Sequence, residues 1–284
     1  MPSQAVIKRK LGTVPYQASV RNTLTLDRDG VLVQLTLRLV YTITNGGTGP
    51  VGPLWQTLAR LIRRLDIIVD GQDTFISLSG AHLASRALFD CAVRQYGMDA
   101  TVVLTNSAVT VYEVHLPIFL TLPPRAARPD DCALDMRQVT QAQLGITWGD
   151  SSDYFTTVNA AVISSVTCNV EAHYLLNPEA GKKNGRAQYL VRAMDQVDIP
   201  NVATNPNMSV LIDRGQDIFW RSFQIATLRN NIAVNNILDG GDIRLQSGSF
   251  VYVNREAYVV RSEARRLFGL AVAEFDLTGI YRVE

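Results

Sequence analysis

The sequence predicts an all-β chain of two tandem antiparallel sandwiches, each with one inserted helix, and three observations lead there. The first is a repeated cassette. Asp66 to Gly97 reads DIIVDGQDTFISLSGAHLASRALFDCAVRQYG: a short strand, an Asp-Gly turn, a second strand and a helix stopped by Gly97. From Asp242 the stretch DIRLQSGSFVYVNREAYVVRSEARRLFG repeats that order and ends at Gly269. Asp66 answers to Asp242, Ile67 to Ile243, Val69 to Leu245 and Phe75 to Phe250, as a tandem duplication requires. Upstream, LTLDRDGVLVQL from Leu24 parallels VLIDRGQDIFWR from Val210; chance similarity between short strands is the competing explanation. The second observation is strict alternation, with Val31, Val33, Leu35, Leu37, Leu39, Tyr41 and Ile43 apolar at every second position. The third is a shortage of helix, since two helices in 284 residues cannot cover both faces of a parallel sheet.

Taken in order, residues 1–17 read as an N-terminal arm. Lys8, Arg9 and Lys10 stand in a row, and the segment is either a solvated tail or an arm that docks on a partner or an anionic surface. Residues 18–176 form the first unit. Asp29-Gly30 is a turn signal, so Asn22 to Asp27 is expected to be the hairpin partner of the long strand from Val31. Asn45 to Pro53 is a loop by composition, and Trp55 to Arg64 has helical spacing for a turn or two. After the first cassette, strands are expected at 100–105 and 109–122, and Pro117 places the second of these at an edge or a bulge. Leu134 to Trp148 and Asn159 to Leu176 are strand-like, separated by the polar GDSSD loop.

Residues 177–185, NPEAGKKNG, have nothing to bury and read as the linker; 186–284 form the second unit. There Asn254 is expected to cap a helix running from Arg255 to Phe268, and a last strand follows from Leu270 to Arg282. The second unit is short. Several strands fit between Gly97 and Asn177, but only one between Gly269 and Glu284, so its sheet takes strands from elsewhere or is incomplete.

Composition narrows the function. A formal net charge of +1 argues against a domain that lives on nucleic acid. The three cysteines, Cys91, Cys132 and Cys168, are odd in number and widely spaced, which fits a reducing compartment and no disulfide framework. The N-terminus lacks a signal peptide, and no apolar run is long enough to span a bilayer. Nothing points to an enzyme: there is no nucleophile elbow, no phosphate-binding glycine loop, no cofactor motif, and His82, His115 and His173 each stand alone. Closely spaced carboxylates on turns suit a hard cation, which makes Asp70, Asp73, Asp239 and Asp242 candidate calcium ligands. A plain Asp-Gly hairpin turn explains the same residues.

The arrangement resembles the double jelly-roll major capsid proteins of tailless icosahedral viruses, the lineage of tectivirus and corticovirus phages and adenovirus. LDIIVDGQDTFISLSGAHL from Leu65, VYEVHLPIFLTLP from Val111, LDMRQVTQAQLGITWG from Leu134 and the cassette from Asp242 carry the likeness. The resemblance implies two jelly rolls and a homotrimer whose six barrels make a pseudo-hexagonal capsomer of an icosahedral shell. It also implies contacts with neighbouring capsomers and with minor capsid or vertex proteins, and an inward arm at Lys8, Arg9 and Lys10 that faces a partner or an internal membrane. The expected location is then the virion, after folding in the host cytoplasm. A two-domain β-sandwich carbohydrate-binding module is the alternative.

Overall fold

The computed structural model of the chain describes residues 6–45, 59–91, 109–121, 133–153, 161–175, 193–194, 222–229, 232–234, 237–238, 241–267 and 280–283. The chain forms two units, the first drawn mainly from residues up to Met194 and the second from most of the remainder.

The first unit is a sandwich of two sheets. One has the order β1 (Val6–Val14), β9 (Ala161–Leu175), β3 (Val31–Asn45), β6 (Val109–Phe119), with β7 (Leu134–Asp135) also on β3. The other has the order β10 (Ala193–Met194), β5 (Asp73–Leu78), β4 (Ile62–Val69), β8 (Ala142–Trp148), β2 (Arg21–Thr25). The alternation read from the sequence sets the register of the first sheet. Leu35, Leu37, Leu39, Tyr41 and Ile43 point into the core, where they meet Val114 and Leu116 of β6 and Cys168, Val170 and Ala172 of β9. A one-residue slip would turn this whole set to solvent, so burial fixes the pairing. Leu65, Ile67, Leu144, Ile146 and Trp148 supply the opposite wall of the same core.

Helix α1 (Gly80–Cys91) closes the sandwich with Leu83, Ala84 and Ala87. Ser79 caps it, its hydroxyl oxygen accepting from the His82 amide at 3.3 Å. Its first residue must be glycine, because a Cβ on Gly80 would lie 2.0 Å from the Ala59 carbonyl oxygen. On its far side Arg86 pairs with the buried Asp90 at 3.0 Å and donates to the Phe119 carbonyl at 3.1 Å. One corner is pinned by Arg63, which reaches Asp150 at 3.1 Å and Asp153 at 2.9 Å, and by the Trp148 indole donating to the Pro15 carbonyl at 2.8 Å.

Beyond Met194 the described residues form three two-stranded ladders: β11 (Phe223–Ala226) with β16 (Ile280–Val283), β12 (Leu228–Arg229) with β13 (Ile232–Ala233), and β14 (Asp242–Ser247) with β15 (Phe250–Glu256). Helix α2 (Ala257–Leu267) follows β15 directly. Ala257, Val260, Tyr281 and Val283 form its buried cluster, with Ile225, Ile243 and Val253 packed against it.

The cassette therefore occurs twice, as β4–β5–α1 and as β14–β15–α2. Pro117 lies on β6, an edge strand, where its missing amide costs no ladder bond. Other expectations are corrected. Val6–Val14 is neither tail nor free arm but an edge strand on β9, and a bulge between Lys10 and Gly12 breaks the periodicity that would have revealed it. Asn22 does not form a hairpin with β3. The strand β2 pairs with β8 in the other sheet, and the chain crosses between sheets at Asp27–Gly30. The long β3 takes β9 as its neighbour instead, both being 15 residues. Of the helical turn expected at Trp55 to Arg64, residues 55–58 lie outside the described residues, Ala59 is in 3-10 conformation, and strand takes over from Ile62. Asn254 sits inside β15 opposite Arg244, so it caps nothing. Ala193 and Met194, expected in the second unit, run parallel to β5 in the first unit's sheet. The strand at 100–105, the linker at 177–185 and both helix-ending glycines lie outside the described residues.

Candidate assembly surface

The face of the β1-β9-β3-β6 sheet turned away from the core is the most differentiated surface of the first unit. Register places its side chains in rows. Lys8, His173 and Gln34 share a row with Phe119, and Lys10, Glu171 and Thr36 share the next with Pro117. Thr13, Asn169, Arg38 and His115 form the third row, and Val40 stands opposite Glu113 in the fourth. The last two rows bring Thr42 opposite Val111 and Thr44 between Val109 and Val162.

One end of this face is polar and closely bonded. Glu113 accepts from Arg38 Nε at 2.6 Å and lies 2.8 Å from His115 Nε2. The Arg38 bond, then the His115 bond, hold its carboxyl at about 2, well below the usual glutamate range. His173 Nε2 lies 2.9 Å from Glu171 in the same way. Thr13 donates to Asn169 at 3.1 Å and Gln34 to Thr36 at 3.0 Å. The other end is apolar and open, with Val109, Val111 and Val162 exposed at 66%, 64% and 56%.

Lys8 and Lys10 project from β1 onto the polar end, whereas Arg9, between them, turns the other way and pairs with Asp29 at 2.8 Å. Arg9 is thus set on the opposite face of β1 from Lys8 and Lys10. The histidines look solitary in the linear sequence, but E-x-H occurs twice, in VYEVHLP and NVEAHYL, and a strand's period of two puts each pair on one face. That signal was available and was missed.

The described calcium candidates, Asp70, Asp73 and Asp242, sit at turns and strand starts. Asp70 has a positive φ of 51° at the β4–β5 turn. Its Oδ1 accepts from the Thr140 amide and hydroxyl, both at 2.6 Å, and from the Gln141 amide at 3.1 Å. Those bonds, the Thr140 hydroxyl first, lower its pKa and tie the turn to the loop before β8. Asp73 opens β5 and Asp242 opens β14; Asp239 lies outside the described residues. Cys168 is packed inside, where burial pushes its thiol up to about 12 and keeps it unreactive. Phe250, Tyr252 and Tyr258, exposed aromatics that a sugar site could use, lie on a hairpin and a helix, not in a cluster of loops.

No protein-family model and no curated protein matches the sequence. Solved structures do. A chain in the atomic structure of Sulfolobus turreted icosahedral virus aligns with TM-score 0.71 at 13% identity, over 98% of this chain and 79% of that one. The major capsid protein of the same virus, in crystals, gives 0.65 at 14% identity, over 99% and 84%. A chain of the PBCV-1 virus capsid gives 0.52 at 11% identity, over 100% and 78%. Identities this low speak for the path of the backbone and not for individual side chains. The chain therefore has the double jelly-roll fold of these capsid chains.

Proposed function

We propose that this chain is a structural virion protein, a major capsid protein that performs no turnover and whose work is association with its own copies. The likeness that carries this reading runs through nearly the whole chain, both units included, and not through one sandwich alone. Three copies of a doubled unit give a trimer with six similar modules, which suits sixfold packing in a shell. Neighbouring capsomers, minor capsid proteins and vertex proteins are then its partners, and the virion is its place after folding in the host cytoplasm.

Lys8 and Lys10, which share one face of β1, are the groups proposed to meet an anionic neighbour, an internal membrane among them. Arg9 takes no part, because Asp29 holds it. Light scattering on the purified chain tests the central claim. A stable trimer of about 94 kDa, three times the 31.3 kDa chain, is expected, and a monomer at every concentration would overturn it. Flotation with vesicles of anionic lipid tests the second. Lys8→Glu with Lys10→Glu should abolish binding, and equal flotation of both proteins would remove the membrane from the account.

A further inference from the structure

We propose that the tip of the β14–β15 hairpin is a wedge for a phospholipid surface: Phe250, Val251 and Tyr252 enter the headgroup region and Arg244 meets the phosphates behind them. This goes beyond the shell-forming role and beyond the contact at Lys8 and Lys10. It lies on the second unit and works by apolar burial, not by surface charge.

The hairpin changes character halfway along. Near its base Ile243 and Val253 pack against the buried cluster of Ala257, Val260, Tyr281 and Val283, and Arg255 pairs with Glu263 of α2. A bulge then falls between Leu245 and Gln246, with Tyr252 as the extra residue of β15. Bulges bend a strand and re-aim its side chains. Beyond it every residue from Gln246 to Tyr252 is exposed, and three of them are large and apolar: Phe250 at 62%, Val251 at 37% and Tyr252 at 61%. The two rings stand edge to face with centroids 4.7 Å apart, so they present one joint apolar surface.

The occupant follows from the order of charges along the hairpin. From Leu245 through the turn to Val253, LQSGSFVYV, there is no charged residue. Two residues back from Tyr252, Arg244 stands opposite Asn254, and two further back Asp242 stands opposite Glu256. At about 3.3 Å per residue the cation lies about 7 Å behind Tyr252 and the two carboxylates about 13 Å behind it. A phospholipid leaflet is layered in that same order, acyl boundary, phosphate, water, and aromatic side chains concentrate at the boundary. The two carboxylates repel one another across the ladder, and a position in water beyond the phosphates screens them. The turn of the first cassette is the built-in contrast. It carries Asp70 and Asp73 at its very tip, and Asp70 is bonded to Thr140, so a bilayer would reject it.

Flotation of the full chain with vesicles of phosphatidylcholine alone, in about 0.5 M salt, tests the wedge apart from the lysines, because neutral lipid and salt remove the attraction to Lys8 and Lys10. The wild type is expected to float, and Lys8→Glu with Lys10→Glu to float equally. Phe250→Asp with Tyr252→Asp should weaken binding roughly hundredfold, each buried ring being worth about tenfold. Phe250→Trp with Tyr252→Trp should retain it, and Val109→Asp, at an exposed apolar position of the first unit, should leave it unchanged. Light scattering should give the double Asp variant the mass of the wild type. A wild type that stays in the aqueous phase, a double Asp variant that floats as well as the wild type, or an equal loss in Val109→Asp overturns the inference and leaves the shell role standing. A change of oligomer mass in the double Asp variant also overturns it, by making the hairpin a contact between copies.

Discussion

The two copies of the strand–turn–strand–helix cassette share their order of elements and differ in how much they bury. In the first, β4 lies between β5 and β8, and β5 between β4 and β10, so both strands are internal to a five-stranded sheet. Phe75 is 4% exposed there. In the second, β14 and β15 form a ladder of their own among the described residues, and Phe250, the counterpart of Phe75, is 62% exposed. Local sequence is enough to specify the hairpin and the helix after it: both turns use residues of positive φ, Asp70 and Gly71 in one and Gly248 in the other. How much a cassette contributes to stability is decided elsewhere, by the strands that flank it.

Four measurements break or sharpen that contrast. The largest effect is expected at the start of the helices. Gly80→Ala drives a Cβ into the Ala59 carbonyl, a backbone atom that cannot step aside, and should cost about 3 kcal/mol or more in urea unfolding. The second helix already begins with alanine, at Ala257, so its cassette tolerates what the first forbids. Phe75→Ala empties a site in the main core and should cost about 3 kcal/mol, whereas Phe250→Ala should fall within about 0.5 kcal/mol of wild type. Equal losses at the two phenylalanines would end the comparison.

Asp66 and Asp242 come next. Asp66 accepts from Ser77 at 2.8 Å and from Arg64 at 2.9 Å, both to Oδ1, with Arg21 lying 3.7 Å away across Gly145. Asp66→Ala strands the Ser77 hydroxyl in a buried place and should cost about 2 kcal/mol. Asp242→Ala, at an exposed position opposite Glu256, should cost nothing measurable in the same titration. The smallest effect is electrostatic. Glu113 is held at about 2, below its ordinary 4.5, so its contribution is complete above about pH 4.5 and disappears as pH falls through 2. Thermal melts over that range should show Glu113→Gln losing less stability on acidification than the wild type. Glu263 of the second unit is lowered too, by Arg255 first, so Glu263→Gln should flatten the same acid slope.

Much of the fold was legible because it is local or periodic. The alternation from Val31 located β3 and its inward set, one proline placed β6 at an edge, and the repeat exposed both cassettes. What stayed hidden depends on contacts distant in sequence. The bulge at Lys10 to Gly12 puts Leu11 out of phase, so β1 reads as an irregular tail until β9 is beside it. Nothing near Asn22 announces that its partner is Ile146. Asn254 has the composition of a cap, but β15 continues past it to Glu256 because β14 is there to pair with. The candidate surface was legible only in fragments: Lys8 and Lys10 stood out as charges, while their places beside His173 and Glu171 exist only once β1 is in register with β9.

The rims of that sheet have a consequence for how such a protein accumulates. One rim, β1, displays Lys8, Arg9 and Lys10 and is kinked by a bulge; the other, β6, contains Pro117, which has no amide to offer. Neither rim invites a stranger's strand to zip onto it. As the protein accumulates, strand addition by another chain is therefore disfavoured at these two rims.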